Sequence, residues 1–279
     1  FNSESNRDMI ALSLRTLTKP QALKNATDVF SLIINTPDFQ ESTLARERNQ
    51  QLMAIKQMQE SPDEIANRAF FKTLYGEHPY AHPVNGDIDN VSSITANDVK
   101  HFYQRYFSAN NAFIVMVGAL SEIEAKSLAE KISRQLPKGK PVKAIPKPQP
   151  LKEEINIEIP FPSSQTAIRI GQLGIDHHHP DYFPLLVGNY ILGGGTLVSR
   201  LSEQLREKRG LTYSVTSQFL PMPGQGPFVI GLSTRGQQAL EAEKVTRETL
   251  ANFVKNGPTA KELLAAKQYL TGSFPLSLA

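Results

Sequence analysis

The chain has 279 residues, a formal net charge of +3 and no cysteine. This length accommodates two domains of ordinary size, and the apolar content is that of a globular protein rather than a disordered one. The lack of cysteine excludes thiolate catalysis, zinc fingers and disulfides. The basic residues are dispersed, which gives no support to nucleic-acid binding. No apolar run approaches the roughly 18 residues that mark a membrane span.

The two ends of the sequence predict a fragment. The chain starts at Phe1 without an initiator methionine and ends at Ala279, shortly after a predicted helix. We therefore expect an internal piece of a longer protein, in which the N-terminal part of the first domain and the C-terminal part of the second lie outside these residues. A missing targeting signal then carries no information.

The first part of the chain mixes strand and helix patterns. Period-2 alternation predicts a strand within residues 8–18. Capping boxes at Ser61 and Ser121, and the segment Thr95-Ala-Asn-Asp98, predict the starts of three helices. The predicted elements are, in chain order, that strand, helices over about 22–33, 41–58 and 62–76, a helix from Thr95, a buried strand over 112–118, and a helix from Ser121 that stops before Pro137.

Residues 137–152 predict a linker between two domains. Five prolines and four lysines fall within residues 137–150 without periodicity, which is typical of a semi-rigid exposed connector. The chain accordingly divides into a first domain over 1–136, the linker over 137–152, and a second domain over 153–279. In the second domain we expect strands at about 153–160, 165–173, 212–220 and 227–234, and helices at 181–192, before Gly210, at 237–255 and at 259–271. The segment Thr259-Ala-Lys-Glu262 opens the last of these helices.

This order of elements predicts the fold class. Strands and helices are mixed without strict alternation, which favours an α+β fold with antiparallel sheets. We expect two related halves, each a mainly antiparallel sheet packed with helices, joined by the Pro/Lys-rich linker.

The most informative segment runs from Arg200 to Val215. It predicts a helix end that carries Arg206, a stop at Gly210, and a strand that opens on Tyr213. An arginine has five fixed donors and a tyrosine one hydroxyl, so together they are able to hydrogen-bond a peptide carbonyl and stabilise its developing negative charge. From composition and spacing alone, a helix-end arginine and an ordinary strand tyrosine are the better explanation of the pattern.

The surrounding sequence decides between these interpretations. Residues 188–214 closely resemble the second-domain signature of the pitrilysin/insulinase-type zinc peptidases, the inverzincins. Residues 44–49, 74–87 and 110–118 resemble segments of the first domain of that family, so the resemblance covers nearly the whole chain. It implies that Arg206 and Tyr213 are substrate-binding residues and that peptides of moderate length bind in a chamber.

The zinc ligands of that family are missing from this chain. There is no His-x-x-Glu-His motif, and the resemblance places the third ligand seven residues after Glu47, where the chain has Ala54. Alanine has no donor atom, and Glu47 lies about 10 Å away along a helix, so neither provides the ligand. Glu60 lies beyond Ala54 by a similar distance. We therefore predict no metal and no cofactor in this chain, and zinc in a partner chain.

Other candidate sites have simpler explanations. His177, His178 and His179 are adjacent and cannot all face one ion, so we expect an exposed loop. His78 and His82 have the spacing of a helical zinc pair, but neighbouring prolines break any helix there. The three glycines at 193–195 lack the spacing of a phosphate-binding loop and predict a helix stop and hinge. No nucleophile elbow supports a serine triad.

The resemblance implies a catalytically inactive subunit. It would supply Arg206 and Tyr213 in trans to a zinc-bearing peptidase homologue, as one half of a heterodimer that hydrolyses peptides. Two alternatives stay open: a structural or binding scaffold with no role in proteolysis, and a fragment of an active zinc metallopeptidase. We expect a bacterial, periplasmic location, on resemblance alone.

Overall fold

The computed structural model describes residues 1–278, and the side chains of residues 1–276. The described chain forms two compact units. The first comprises residues 1–56 and 84–144, and the second comprises residues 57–83 and 145–279. The division into domains over 1–136 and 153–279 stays a prediction, as does the relation between two halves. The α+β fold class is confirmed, because helices combine with small antiparallel sheets.

The first unit is mainly helical. Strands β1 (Asn2–Ser5) and β2 (Ile10–Ser13) pair antiparallel, and Ser5 lies opposite Ile10 at the turn. The helices of this part of the chain are α1 (Pro20–Asn35), α2 (Glu41–Gln59), α4 (Ile88–Ser93), α5 (Ala96–Tyr106) and α6 (Glu122–Ser133). Helix α3 (Pro62–Tyr75) belongs to the second unit.

Side-chain contacts to the backbone join the helices of the first unit. In α1, the Asn35 side chain donates to the carbonyl of Ile132 in α6 at 2.8 Å. The Tyr103 hydroxyl of α5 donates to the carbonyl of Ile34 at 2.6 Å, and burial raises the pKa of this phenol. Because these bonds use carbonyls close to helix ends, they satisfy acceptors that the helices leave free.

The predicted helix starts are confirmed. Thr95, Ser121 and Thr259 each form a complete capping box with the acid three residues later. Ser61 accepts from the backbone N–H of Glu64 at 3.4 Å and begins α3. A side-chain oxygen that accepts from the first turn is worth about 1 kcal/mol to a helix, so these starts are encoded locally.

The second unit is built on a three-stranded antiparallel sheet. Its strands are β3 (Gln165–Leu173), β4 (Thr212–Phe219) and β5 (Pro227–Arg235), in the order β3-β5-β4. The helices are α3, α7 (Tyr182–Asn189), α8 (Ala239–Asn256) and α9 (Ala260–Ser273). Two π-helical segments, Tyr190–Gly194 and Ser202–Glu207, lie between α7 and β4.

The two faces of this sheet carry different neighbours. One face presents Phe228, Ile230 and Leu232 of β5 to the main core, which also contains residues of the π-helical segments and α8. The other face presents Arg169 of β3, whose guanidinium reaches α3. Because β5 is central, both of its faces are covered, as its nearly continuous burial shows.

Two predicted strands are wrong. Residues 112–117 and 153–160 have no regular secondary structure. Both segments have strand-like composition, but Val117 is 92% exposed and Ile157 56% exposed. A strand requires a partner backbone for its N–H and C=O groups, and no strand of the described chain lies beside either segment.

The predicted helix over 181–192 needs a smaller correction. The α-helix ends at Asn189, and the chain continues as the π-helical segment Tyr190–Gly194, in which Gly195 N–H donates to the carbonyl of Tyr190 at 2.8 Å. The five-residue spacing of that bond widens the turn. Gly193 has the tightest surroundings in this segment, since a Cβ atom there would lie 2.4 Å from the Ser217 hydroxyl.

Candidate functional site

Arg206 is held by a helical turn that is anchored in the core. It belongs to the π-helical segment Ser202–Glu207. Leu205 of this segment and Leu201 directly before it are fully buried. A turn follows this segment and stops at Gly210, which adopts a φ of +61°, a conformation that glycine accepts without steric cost. The predicted glycine stop is thus confirmed. Single π-helical turns within helices are frequent at functional sites because they displace side chains from regular spacing.

Tyr213 lies in a β-bulge. The register of β4 on β5 shifts between Thr212 and Val215, so Tyr213 and Ser214 together lie opposite Ser233. The extra residue allows both Thr212 and Val215 to be buried, at 7% and 3% exposure, while Tyr213 is 85% exposed. Without the bulge, strict alternation would direct one of the two buried side chains to solvent.

The Thr212 side chain holds the bulge together. Its hydroxyl lies 2.7 Å from the carbonyl of Ser233 and 2.8 Å from the carbonyl of Ser214, and it accepts from the Ser214 N–H at 3.2 Å. These contacts satisfy backbone groups that the shifted ladder would leave without partners. Tyr213 is therefore presented by a fixed piece of backbone.

The structure brings Arg206 and Tyr213 together. The guanidinium carbon of Arg206 lies 5.1 Å from the centroid of the Tyr213 ring, which is a cation–π geometry. The Arg206 side chain is 30% exposed, and its Nε lies 3.5 Å from a carboxylate oxygen of Glu207. An arginine stacked on a tyrosine keeps most of its in-plane N–H donors available. The pair is therefore able to hydrogen-bond a carbonyl oxygen that approaches from the solvent-exposed side.

A second arginine anchors the start of the same segment. Arg200 makes two 2.7 Å bonds to the carboxylate of Glu262 and one 3.0 Å bond to the carbonyl of Gly257. Its guanidinium also lies 5.1 Å from the Phe253 ring centroid. The Arg200 guanidinium, and then the Thr259 cap, lower the pKa of Glu262 to about 2 against the effect of burial. The sequence identified Glu262 as a capping residue but contained no signal for its arginine partner.

A cleft of about 330 Å³ lies beside the outer edge of β4. Asn189 spans this edge, donating to the Ser217 carbonyl at 2.9 Å and accepting from the Ser217 hydroxyl at 2.7 Å. The cleft is lined by side chains of mixed character, among them Tyr182, Leu186 and Gln218. The backbone at position 193 lies so close to Ser217 that any residue larger than glycine would collide with β4. This close approach explains the glycine at position 193 better than the predicted hinge does.

The residues around Ala54 do not fit a zinc ion. Ala54 lies half-buried on α2 between exposed Met53 and buried Ile55, and Glu47 on the same helix pairs with Arg46 at 2.9 Å. Within residues 1–276, no three His, Cys, Asp or Glu side chains gather closely enough to hold a metal ion. A structural or catalytic zinc site needs three or four protein donors, and the described side chains do not bring that many together around Ala54 or elsewhere.

The histidines have other surroundings. The His78 ring makes a 2.8 Å contact to the carbonyl of Pro146 through Nε2 and accepts from the Tyr80 N–H at 3.2 Å through Nδ1, so both nitrogens are engaged. His177, His178 and His179 lie in an exposed loop between β3 and α7, as the sequence predicts.

Within the part of the chain that the structure describes, no helix has both the length and the apolar character needed to cross a membrane.

Two models of one protein family match the chain. Residues 93–270 match the model described as "Peptidase M16 inactive domain". Residues 1–87 match the model described as "Insulinase (Peptidase family M16)". The two matched segments together span nearly all of the sequence.

Curated relatives carry two kinds of description. A Bacillus subtilis (strain 168) protein described as "Uncharacterized zinc protease YmxG" is 28% identical over 253 residues, which are 91% of this chain and 61% of the relative. A Helicobacter pylori (strain ATCC 700392 / 26695) protein described as "Non-peptidase homolog YmxG" is 26% identical over 249 residues, 88% of this chain and 56% of the relative. The chain thus spans somewhat more than half the length of these relatives.

Solved structures share the fold. A peptidase M16 inactive domain from Pseudomonas fluorescens superposes with a TM-score of 0.95 at 41% identity, and the match covers 98% of this chain and 66% of that one. A Helicobacter pylori protease superposes with a TM-score of 0.78 at 22% identity, over 90% of this chain and 62% of that one. At 22% identity, the similarity to the Helicobacter pylori protease is evidence for the fold alone.

Proposed function

Because the chain belongs to the peptidase M16 family and most of it matches that family's inactive domain, we propose that it is the silent subunit of a two-chain peptidase. In this proposal Arg206 and Tyr213 bind a peptide and act in trans for a partner that holds zinc. The chain itself is an inactive peptidase-like protein. The partner, the substrate and the heterodimer belong to the proposal.

One contrast carries the proposal. Arg206 and Tyr213 lie together at the surface, on a core-anchored turn and a fixed bulge, although neither is needed to fill the core. By contrast, Ala54 occupies the position where the family resemblance expects a metal ligand. A chain that keeps two substrate-binding groups and lacks the metal site fits a supporting role in hydrolysis better than an independent catalytic role.

The chemistry of the pair is that of a carbonyl clamp. The Arg206 guanidinium and the Tyr213 hydroxyl donate to the oxygen of the carbonyl that is attacked, and they stabilise the negative charge that develops there. Removing one such donor in other hydrolases costs about 10²–10³ in kcat. Zinc, when bound in the partner, supplies the activated water.

The test is reconstitution of peptide cleavage. A zinc-bearing relative encoded in the same organism is assayed on a mixture of fluorogenic peptides, alone and with the full-length form of this protein. We expect no cleavage by this protein alone and faster cleavage by the mixture. Arg206→Ala and Tyr213→Phe should each reduce the stimulation by about 10-fold or more, mainly in kcat.

Matched variants control for folding. Arg209→Ala removes an exposed arginine three residues away, whose guanidinium bonds only locally to Gln204 in the described chain. It should leave the stimulation unchanged. If Arg206→Ala and Arg209→Ala stimulate equally well, the clamp is refuted and the scaffold hypothesis is favoured. Cleavage by this protein alone, with zinc bound, would favour the active-peptidase hypothesis.

We also propose that the intact protein acts in the bacterial periplasm. This rests on the family resemblance alone. Fractionation of cells that express the full-length protein, with immunodetection in the periplasmic and cytoplasmic fractions, tests it.

A further inference from the structure

Three residues that are remote in sequence form a hydrogen-bonded group next to the Tyr213 bulge. They are Asp63 of α3, Arg169 of β3 and Ser233 of β5, and none belongs to the segment that carries Arg206 and Tyr213. Ser233 is the residue that faces Tyr213 and Ser214 across the strand pair. The conformation of the bulge therefore depends on how Ser233 is held.

The Ser233 hydroxyl is tied to α3. It lies 3.1 and 3.2 Å from the two carboxylate oxygens of Asp63, and it donates to that carboxylate. The carbonyl of the same residue accepts from the Thr212 hydroxyl at 2.7 Å, on the side of the bulge. Ser233 thus connects the helix to the hydroxyl that holds the bulge together.

The position of Asp63 is fixed in turn by Arg169. The Arg169 guanidinium donates to Asp63 at 2.7 Å through one terminal nitrogen and to the Asn67 side chain at 2.7 Å through Nε. It also donates to its own strand at the carbonyl of Ile168, at 3.0 Å. The Arg169 side chain is 13% exposed, so its charge requires these partners.

The Arg169 side chain lies over Gly231 of the central strand. A Cβ atom there would lie 3.5 Å from the Arg169 guanidinium, directly across the β3–β5 pair. The flat guanidinium passes over the central strand toward α3. The Arg169 guanidinium makes three hydrogen bonds, to Asp63, to Asn67 and to the carbonyl of Ile168, so it holds the Asp63 carboxylate in one position. A flexible ion pair at the surface does not fix its carboxylate in this way.

We propose that Asp63, Arg169 and Ser233 are positioning residues for Tyr213, with α3 setting the direction in which the bulge presents the phenol. Asp63 and Arg169 act through Ser233, and Ser233 acts through the Thr212-bonded backbone. Loss of the Ser233 hydroxyl does not alter the Tyr213 side chain itself. It allows the bulge that carries Tyr213 to change its conformation. The effect on peptide cleavage rests on the proposed function, whereas the effect on the Tyr213 environment does not.

The first measurement is spectroscopic and needs no partner. 3-Fluorotyrosine is placed at position 213 of the full-length protein, and its ¹⁹F resonance is recorded in the parent, in Ser233→Ala and in Asp63→Ala. We expect a displaced or broadened resonance in both variants. Glu64→Ala removes a neighbouring exposed acid on α3 and should leave the resonance unchanged.

The Ser233 variant keeps the test decisive. Asp63→Ala leaves the Arg169 charge without its carboxylate and can unfold the protein, whereas Ser233→Ala retains that ion pair. A resonance that stays unchanged in folded Ser233→Ala overturns the proposal. A displaced resonance supports it, provided that circular dichroism shows the variant folded.

The second measurement separates this proposal from the proposed function. In the reconstituted cleavage assay, Ser233→Ala should lower kcat by about 2- to 10-fold, the loss expected for one hydrogen bond that positions a reacting group. In the Tyr213→Phe background the same substitution should have little further effect. Additive losses contradict a route through Tyr213. If Tyr213→Phe stimulates fully while the ¹⁹F resonance still moves in Ser233→Ala, the positioning stands and the clamp fails.

Discussion

Two helical regions of this protein carry opposite chemistry. The turn Ser202–Glu207 is anchored by fully buried leucines and presents Arg206 to a tyrosine on the neighbouring strand. Helix α2 is a continuous α-helix around Ala54, but residues 52–56 contain no acid that could bind zinc. The backbone in both places is well supported, so the difference lies in the side chains. A fold keeps its shape when catalytic ligands are lost, because packing and function depend on different residues.

The largest expected effect is on the free energy of unfolding, when the buried leucine that anchors the Arg206 turn is removed. Leu205→Ala removes a fully buried side chain directly before it, and we expect unfolding to become easier by about 2–5 kcal/mol because a cavity replaces the leucine. Urea denaturation followed by circular dichroism measures it. Leu197→Ala, at a position that is 59% exposed, serves as the control and should change stability by less than about 0.5 kcal/mol. Equal losses in the two variants would refute the anchoring role.

An intermediate effect concerns the Arg200–Glu262 pair at the start of the same segment. The pKa of Glu262 is about 2 in the folded protein and ordinarily 4.5, so the folded state favours the ionised carboxylate. Its contribution to stability is present above about pH 4.5 and is lost as the pH falls toward about 2. After screening by water the loss is of order 2 kcal/mol.

Substitution isolates this contribution. The free energy of unfolding of Glu262→Gln, measured between about pH 2 and pH 7, should vary less with pH than that of the parent. Glu248→Gln, on an exposed residue that lies 4.0 Å from Lys244, is the matched control. A pH dependence that survives in Glu262→Gln would place the effect on another carboxylate.

The smallest expected effect comes from a substitution on α2, at Ala54. Ala54→Glu restores a carboxylate at the position where the resemblance expects one, and we expect the zinc content of the 279-residue chain to stay near zero. One added carboxylate does not supply the three or four ligands that zinc requires. Ala54 is half-buried, so stability should fall by no more than about 1 kcal/mol. Elemental analysis after dialysis against zinc measures the stoichiometry, and a value close to one would reveal ligands elsewhere.

The sequence predicted best those features that are encoded locally. The capping boxes at Thr95, Ser121 and Thr259 place helix starts correctly, because cap and acid are only three residues apart. Strand β3 coincides with the predicted range of 165–173. Segments 112–118 and 153–160 have the composition of strands, but pairing depends on backbone from distant parts of the chain.

The candidate site divides in the same way. Arg206, Gly210 and Tyr213 are identified by pattern and resemblance, and the turn between them follows from the glycine. The bulge was not predicted, because one extra residue in a strand leaves no clear mark in the alternation of side chains. Arg206 lies over the ring of Tyr213, which is one of the two residues in that bulge.

By itself, the sequence determined the family resemblance, the α+β class, the choice of Arg206 and Tyr213 as the candidate pair, and the lack of a donor at Ala54. Each of these depends on residue identity or on spacings of a few positions. Only the tertiary structure decided that Asp63, Arg169 and Ser233 meet behind Tyr213, and that Arg200 pairs with Glu262. Such contacts join residues separated by 62 positions or more, and they form only when helices pack on the sheet and bury charges that then require partners.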